Sequence, residues 1–377
     1  MSFLLDHEAE KLLETAERIG RDLRALVDAG ESGRINRPLI QAMAAAGLVT
    51  HLFPANGQVR ATDLCLIRQG MARSCIEAET AFAMQGLGAY PIFQAGTDEQ
   101  KAKWIPPIAA GRAVPAFALT EPGAGSDAAH LSLAAEPDKD GFRLSGTKRY
   151  ISNAPEADLY TVFARTGPDK GAGGVTAFVV PGDSLGLSGG SLEMANAHPI
   201  GWLEFDGVVA DHSHVLGTIG EGFKVAMRTL DLFRPSVGAF AVGMAESALA
   251  MAMIHARDRE AFGQPLTGFQ AISHQLADMA TRIDAARLLV YQAADAHDRD
   301  DRVLLTGMAA AAKLFATETA QYVVDSAIQI HGARGLERSH PLAHLYEEVR
   351  ATRIYEGTSE IQRNVISREL LSGRWVR

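Results

Sequence analysis

The chain has 377 residues, is 47% hydrophobic and 21% charged, and carries a formal net charge of −9. This is an ordinary globular composition with room for two or three domains and a substantial core. It supplies no overall basic field for nucleic acid. The two cysteines, Cys65 and Cys75, form neither a disulfide framework nor a zinc site. Buried free thiols in a reducing cytosol, and no metal, are the expectation. The opening "MSFLLDHEAEKLL" has no basic n-region, long apolar run or small-residue cleavage site, so a cytoplasmic location is expected. Residues 1–110 then read as helices. Leu12, Ala16, Ile19, Leu23 and Leu26 recur at helical spacing, with Gly30 as a C-cap. "RPLIQAMAAAGL" repeats the pattern to Gly47, and "TDLCLIRQGMARSCIEAETAFAM" reads as a third helix. A fourth begins at Thr97, with Gln100 completing a capping box.

Near Val114 the texture changes. "AVPAFALTE" is an apolar run, and "LSLAAEPDKDGFRLSGTKRYIS" alternates about a turn at Asp140-Gly141, a hairpin signal. "DLYTVFART", "GVTAFVVPG" and "GWLEFDGVV" follow as β-rich segments, making 114–215 an all-β unit. Helical periodicity returns over 222–257, 265–297, 302–332 and 359–371, and short connections imply a four-helix bundle. Within it, 235–256 is nearly long enough to span a bilayer, but Glu246 interrupts it. A buried helix is the expectation, with no membrane insertion. The order is helices, strands, helices, with no βαβ alternation, so a Rossmann domain is not expected. The fold class is α+β, mostly α, divided at 1–113, 114–216 and 217–377.

Individual segments hint at chemistry. "FALTEPGAGSD" (117–127) ends a strand in Gly123, Gly125 and Ser126, where backbone N–H groups can face a flat ligand; a tight turn explains it equally well. In "GTKRYISN" (146–153), Tyr150 can stack on a ring and Ser152 can hydrogen-bond, or both belong to a half-buried strand. "RDREAFGQPLTGFQ" (257–270) offers an Arg fork for phosphate, or cations satisfying a helix dipole. "DLFRP" (231–235) pairs Asp231 with Arg234 before a proline that reads as a helix start. "QIHGARG" (329–335) ends a helix. In "IYEGTSEIQ" (354–362), Ser359 and Gln362 fit a capping box, leaving Glu356 in the loop before it, with Gly357 as pivot. A carbon-acid base wants such a place, with reach, little water and a raised pKa.

Taken in order, "ALTEPGAGSD", "GTKRYISN", "RDREAFGQPL", "QIHGARG" and "IYEGTSEIQ" resemble the acyl-CoA dehydrogenase family from about residue 85 to 370. The resemblance implies N-terminal helices, a middle β-barrel-like domain and a C-terminal four-helix bundle. It also implies non-covalent FAD, a homotetramer or dimer, and an electron-transferring flavoprotein as partner. By the same resemblance, Leu119, Thr120, Gly125 and Ser126 hold the flavin's pyrimidine edge, and Ser126 also borders the thioester. Tyr150 covers one flavin face and Ser152 lies near its N5. Arg259, Phe262, Gln270, Gln329 and Gly332 meet the FAD of a neighbouring subunit, and Thr358 and Glu360 lie on the FAD side after the base. Asp231, Arg234 and Gly357 fall to the acyl-CoA ligand. Glu356 matches the catalytic base, because the rival position of another branch holds Phe233, which accepts no proton. The implied reaction is α,β-dehydrogenation of a short or branched acyl thioester to the trans-2-enoyl product. The alternatives on the same fold are an acyl-carrier-protein substrate, or an oxidase, hydroxylase or desulfinase. Several positions depart from the family pattern. Ala333 replaces the second glycine of "HGG", Tyr150 stands where Trp or Phe is common, 51–63 lacks the Gly-rich segment, and 190–205 lacks the usual arginine.

Overall fold

The computed structural model describes residues 6–168, 171–301 and 304–375. The start of the N-terminal stretch and the expected helix start at residue 302 lie outside the described residues. Contacts divide the chain into two compact units: Leu23–Val59 with Thr80–Leu230, and Met1–Asp22 with Arg60–Glu79 and Asp231–Arg377.

The helices α1 (His7–Asp28), α2 (Arg37–Ala45), α3 (Ala61–Ala72), α4 (Ile76–Ala95) and α5 (Asp98–Ala109) come first. Asn36 caps α2 by accepting from the Leu39 N–H at 3.0 Å. The Thr97–Gln100 capping box on α5 is present in both directions, and the Gln100 amide also reaches the Ser213 and Val215 carbonyls. The expected third helix is instead two, broken at 73–75. There the Ser74 hydroxyl donates to the Glu17 carbonyl at 2.9 Å and to Met71 at 3.3 Å, drawing the chain away from continuous helix bonding.

The strands are β1 (Pro115–Ala118), β2 (Ala134–Asp138), β3 (Gly141–Ser152), β4 (Leu159–Arg165), β5 (Val175–Pro181), β6 (Leu187–Ser191), β7 (Ile200–Asp211) and β8 (Val215–Leu216). They form one sheet in the order β6-β7-β3-β2-β4-β5-β8, with β1 added parallel to β4. The β2–β3 hairpin closes at Asp138↔Gly141, as the alternating pattern implies. Phe142, Leu144, Tyr160, Val162, Phe178, Leu203 and Phe205 fill its core. Helix α4 lies directly on β1: a Cβ on Gly88 would come within 2.8 Å of the Ala116 nitrogen, and the Gly88 carbonyl accepts from the Thr161 hydroxyl at 2.8 Å.

The C-terminal helices are α6 (Gly222–Asp258), α7 (Gln270–Asp298), α8 (Leu305–His331), α9 (Pro341–Thr352) and α10 (Ser359–Leu371). Helix α6 runs straight through Pro235, so that proline is not a helix start. The lost backbone bond is outweighed by burial on both sides, at Leu232, Phe233, Val237 and Phe240. Mid-helix Glu246 accepts from Arg73 at 2.5 Å, Gln69 at 3.0 Å and Arg287 at 2.6 Å. The apolar length of α6 would suit a membrane, but 61% of its apolar window is buried inside the fold. Helix α7 starts at Gln270 rather than 265, because Leu266–Gly268 form a three-residue 3-10 turn first, and α9, which starts at Pro341 behind the His340 cap, was not read from periodicity. Mostly helical, with one β unit in the middle, the chain has the expected fold class. Both cysteines are buried and unbridged.

Candidate active site

Glu356 sits on a strained turn. Its φ is 52° and that of Gly357 is 96°, both left-handed, and only the second is a glycine. Three side chains from three helices hold the turn. Arg234 of α6 donates to the Glu356 carbonyl at 3.2 Å, and Lys313 of α8 to the Gly357 carbonyl at 2.7 Å. The Gln362 amide of α10 donates to both carbonyls, at 3.0 and 3.1 Å. The cap of α10 is Thr358, whose hydroxyl accepts from the Ile361 N–H at 3.3 Å. The expected Ser359/Gln362 capping box is therefore absent. Ser359 turns instead to Glu318 at 2.6 Å, and Gln362 is used on the turn. Asp231 pairs with Arg234 at 3.2 Å, which aims the guanidinium.

The carboxyl of Glu356 is set by what surrounds it. Its Oε2 is buried without a hydrogen-bond partner. Burial raises its pKa; Arg68, then Arg234 and Lys313, pull it back without restoring the ordinary value. Arg68 was not among the expected site residues. It is buried on α3, paired with buried Glu79, donating to the Ser236 hydroxyl at 2.7 Å, and lying 5.7 Å over the Phe240 ring. Lys313 is fully buried, and burial pushes its ammonium down to about 8 against the pull of Glu356. A lone cation inside an apolar helical run was the signal for both, in "LCLIRQGMA" and "MAAAAKLFA".

In the other unit, β1 and β3 bring Leu119, Thr120, Tyr150 and Ser152 together. The Arg149 N–H donates to the Thr120 carbonyl at 3.0 Å. Lys148, 0% exposed, donates to the Leu119 carbonyl at 2.9 Å and to Glu121 at 2.8 Å. Glu121 also accepts from the Ser132 and Leu133 N–H groups at 2.6 and 2.9 Å. Burial lifts the Glu121 carboxyl, but Lys148 and these N–H groups bring it below its usual range; burial pushes Lys148 down to about 8. This pair, also missed from sequence, fixes the start of the loop that carries exposed Gly125 and Ser126. Tyr150 has φ 59° at a register irregularity in β3, which turns its ring outward, 52% exposed.

Arg259, Phe262, Gln270, Gln329 and Gly332 are all exposed. The ends of α6 and α8 meet where His255 and His331 stack at 4.2 Å. Phe262 and Gly263 form a turn with φ 52° and 81° between two short strands, leaving Phe262 97% exposed. This group is not brought to Glu356. Arg259 lies 25 residues beyond Arg234, roughly 37 Å along the helix axis.

Comparison with known proteins decides the family. The profiles for the acyl-CoA dehydrogenase N-terminal, middle and C-terminal domains match residues 6–112, 116–208 and 220–371. A cyclohexane-1-carbonyl-CoA dehydrogenase of Geobacter metallireducens is 34% identical over 380 residues, covering 98% of this chain and 99% of its own. The chain belongs to the acyl-CoA dehydrogenase family. The solved butyryl-CoA dehydrogenase of Megasphaera elsdenii superposes on this family member with a TM-score of 0.92 at 34% identity, covering 98% of this chain and 100% of that one. A chain solved in work on the electron transferring flavoprotein of Acidaminococcus fermentans gives the same TM-score at 35% identity, covering 98% and 100%.

As an acyl-CoA dehydrogenase family member, the protein is an FAD-dependent oxidoreductase. Its own surfaces fit a flat, polar-edged cofactor. Gly263 and Gly332 are accounted for by their left-handed φ of 81° and 61°, but Gly123 and Gly125 are not left-handed, and a Cβ on either would meet nothing of the chain within 4 Å. These last two leave backbone open for a ligand to approach. Two aromatics, Tyr150 and Phe262, are turned outward by left-handed backbone where burial would otherwise favour them inside.

Proposed function

We propose that this enzyme dehydrogenates a short or branched acyl-CoA to the trans-2-enoyl-CoA, with Glu356 as the base, and passes the electrons to an electron-transferring flavoprotein. One observation carries the reading: a buried, unpartnered carboxyl oxygen of Glu356, on a turn that three side chains hold in a strained conformation. The named relatives act on a cyclohexane-1-carbonyl-CoA and a butyryl-CoA, which supports a short or branched acyl group.

Bound FAD supplies the hydride acceptor that no side chain can replace. Leu119, Thr120, Gly125, Ser126, Tyr150, Ser152, Thr358 and Glu360 would hold it, and Arg259, Phe262, Gln270, Gln329 and Gly332 would hold that of a neighbouring subunit. The chain's own part is acid–base and electrostatic. Glu356 takes the α-proton as the β-hydride leaves the substrate and the Cα–Cβ double bond forms. The raised pKa of Glu356 brings the carboxylate nearer the α-proton in basicity. The Glu356 N–H donates to the thioester carbonyl and steadies its developing charge. Asp231, Arg234, Gly357 and Ser126 fall along the thioester ligand. The separation of the Arg259 group from Glu356 in one chain supports a homotetramer or dimer. The cytoplasmic location and the division at 1–113, 114–216 and 217–377 belong to the same proposal.

The test is anaerobic bleaching of the holoenzyme's flavin with a panel of acyl-CoAs and acyl-carrier thioesters, followed by reoxidation with electron-transferring flavoprotein or oxygen. Bleaching by short or branched acyl-CoAs and rapid reoxidation by the flavoprotein are expected. Bleaching only by carrier-bound acyl groups, or rapid reoxidation by oxygen, would replace this reading with one of its alternatives.

A further inference from the structure

Ser152 does not stand alone at the end of β3. Its hydroxyl oxygen lies 2.8 Å from Nε2 of His198, a residue that the sequence pattern did not single out. The contact is built from both sides. Ser152 pairs with Ile200 at the last register position between β3 and β7. The next residue, Asn153, has φ 68°; its N–H donates to the Pro199 carbonyl at 2.8 Å and its amide to the Pro115 carbonyl at 2.9 Å. In the loop that leads into β7, the His198 N–H closes a turn onto the Asn196 carbonyl at 2.9 Å. A serine hydroxyl otherwise rotates to suit its surroundings. Burial pushes the His198 imidazole down to about 4, so at neutral pH it offers Ser152 one uncharged ring nitrogen.

We infer that His198 is a positioning residue: its Nε2 locks the Ser152 hydroxyl in one orientation, so that Ser152 presents a single fixed hydrogen-bonding edge to the flavin. This rests on the proposed reading of Ser152 as a flavin contact. Tyr150 and Ser152 then act as a unit, the ring thrown outward by its left-handed backbone and the hydroxyl held still by a partner in the loop before β7.

The test uses FAD-loaded full-length protein carrying Ser152→Ala, His198→Ala, both together, or His198→Gln, which retains hydrogen-bonding atoms. Two quantities are read: the visible absorption spectrum of the oxidised flavin, and the rate of FAD loss on dilution. The single alanine variants are expected to shift the spectrum in the same direction and to speed FAD loss by about fivefold, as for one lost hydrogen bond. The double variant should go no further than either single one, and His198→Gln should move back toward wild type. If Ser152→Ala shifts both quantities while His198→Ala matches wild type, or the two effects add, the positioning role is overturned and the Ser152 contact survives. If Ser152→Ala changes neither quantity, the Ser152 contact itself fails and the role of His198 with it.

Discussion

At the scale of single residues, the base is defined by a conflict between burial and charge. Catalysis needs Glu356 ionised, and its pKa is raised by burial against the pull of Arg68, Arg234 and Lys313. The acid limb of kcat/KM should therefore lie above the ordinary glutamate value of about 4.3. Arg68→Met removes the largest positive influence, so a pH–rate profile should show the limb moved further up. A limb that stays in place would mean that Arg68 only supports packing. Gly357 gives a second check. At φ 96° its replacement by alanine is strained, and the added Cβ falls 2.5 Å from the Gln362 amide nitrogen that holds the turn. Gly357→Ala should cost about 1–3 kcal/mol of stability in a denaturant titration and lower kcat more than it changes FAD content.

At the scale of elements, buried ion pairs decide what the loops can do. Lys148 and Glu121 are 0% and 4% exposed, and they fix the loop that follows β1. Lys148→Met leaves Glu121 buried without its cation, and should cost about 3–5 kcal/mol by chemical denaturation, together with loss of bound FAD. The elements themselves were largely legible. Apolar periodicity located α1, α2 and the long C-terminal helices, and alternation about Asp140-Gly141 located the β2–β3 hairpin. What periodicity could not settle was where local side-chain bonds outweigh it. Ser74 splits an apparently continuous helix, Pro235 sits inside one because its neighbours are buried, and Thr358 takes the cap expected of Ser359. The turn at Glu356 was legible because Gly357 and a helix start follow it, whereas its reading as the base came from the resemblance and from Phe233 at the rival position. Lys313 and Arg68 stood out only as lone cations in apolar runs and His198 not at all, because the partners that give them meaning lie far away in sequence.

At the scale of the whole molecule, one chain carries two groups of candidate FAD contacts on its C-terminal helices that it cannot bring together. Thr358 and Glu360 adjoin the Glu356 turn, whereas Arg259 and Phe262 lie at the far end of α6. Arg259→Ala should therefore weaken FAD retention on dilution, while flavin that stays bound still bleaches at the wild-type rate; equal loss of both would place Arg259 in the reacting site. Added FAD binds the folded state and should stabilise it by about 2.7 kcal/mol at a hundredfold excess over Kd, read as a raised Tm. The most direct test of Glu356 as the base is anaerobic stopped-flow reduction of the Glu356→Gln holoenzyme by the best acyl-CoA of the panel. Flavin content and acyl-CoA affinity near wild type, with bleaching slowed by about 10²–10⁴-fold, are the predicted result. Bleaching by Glu356→Gln at close to the wild-type rate would contradict it.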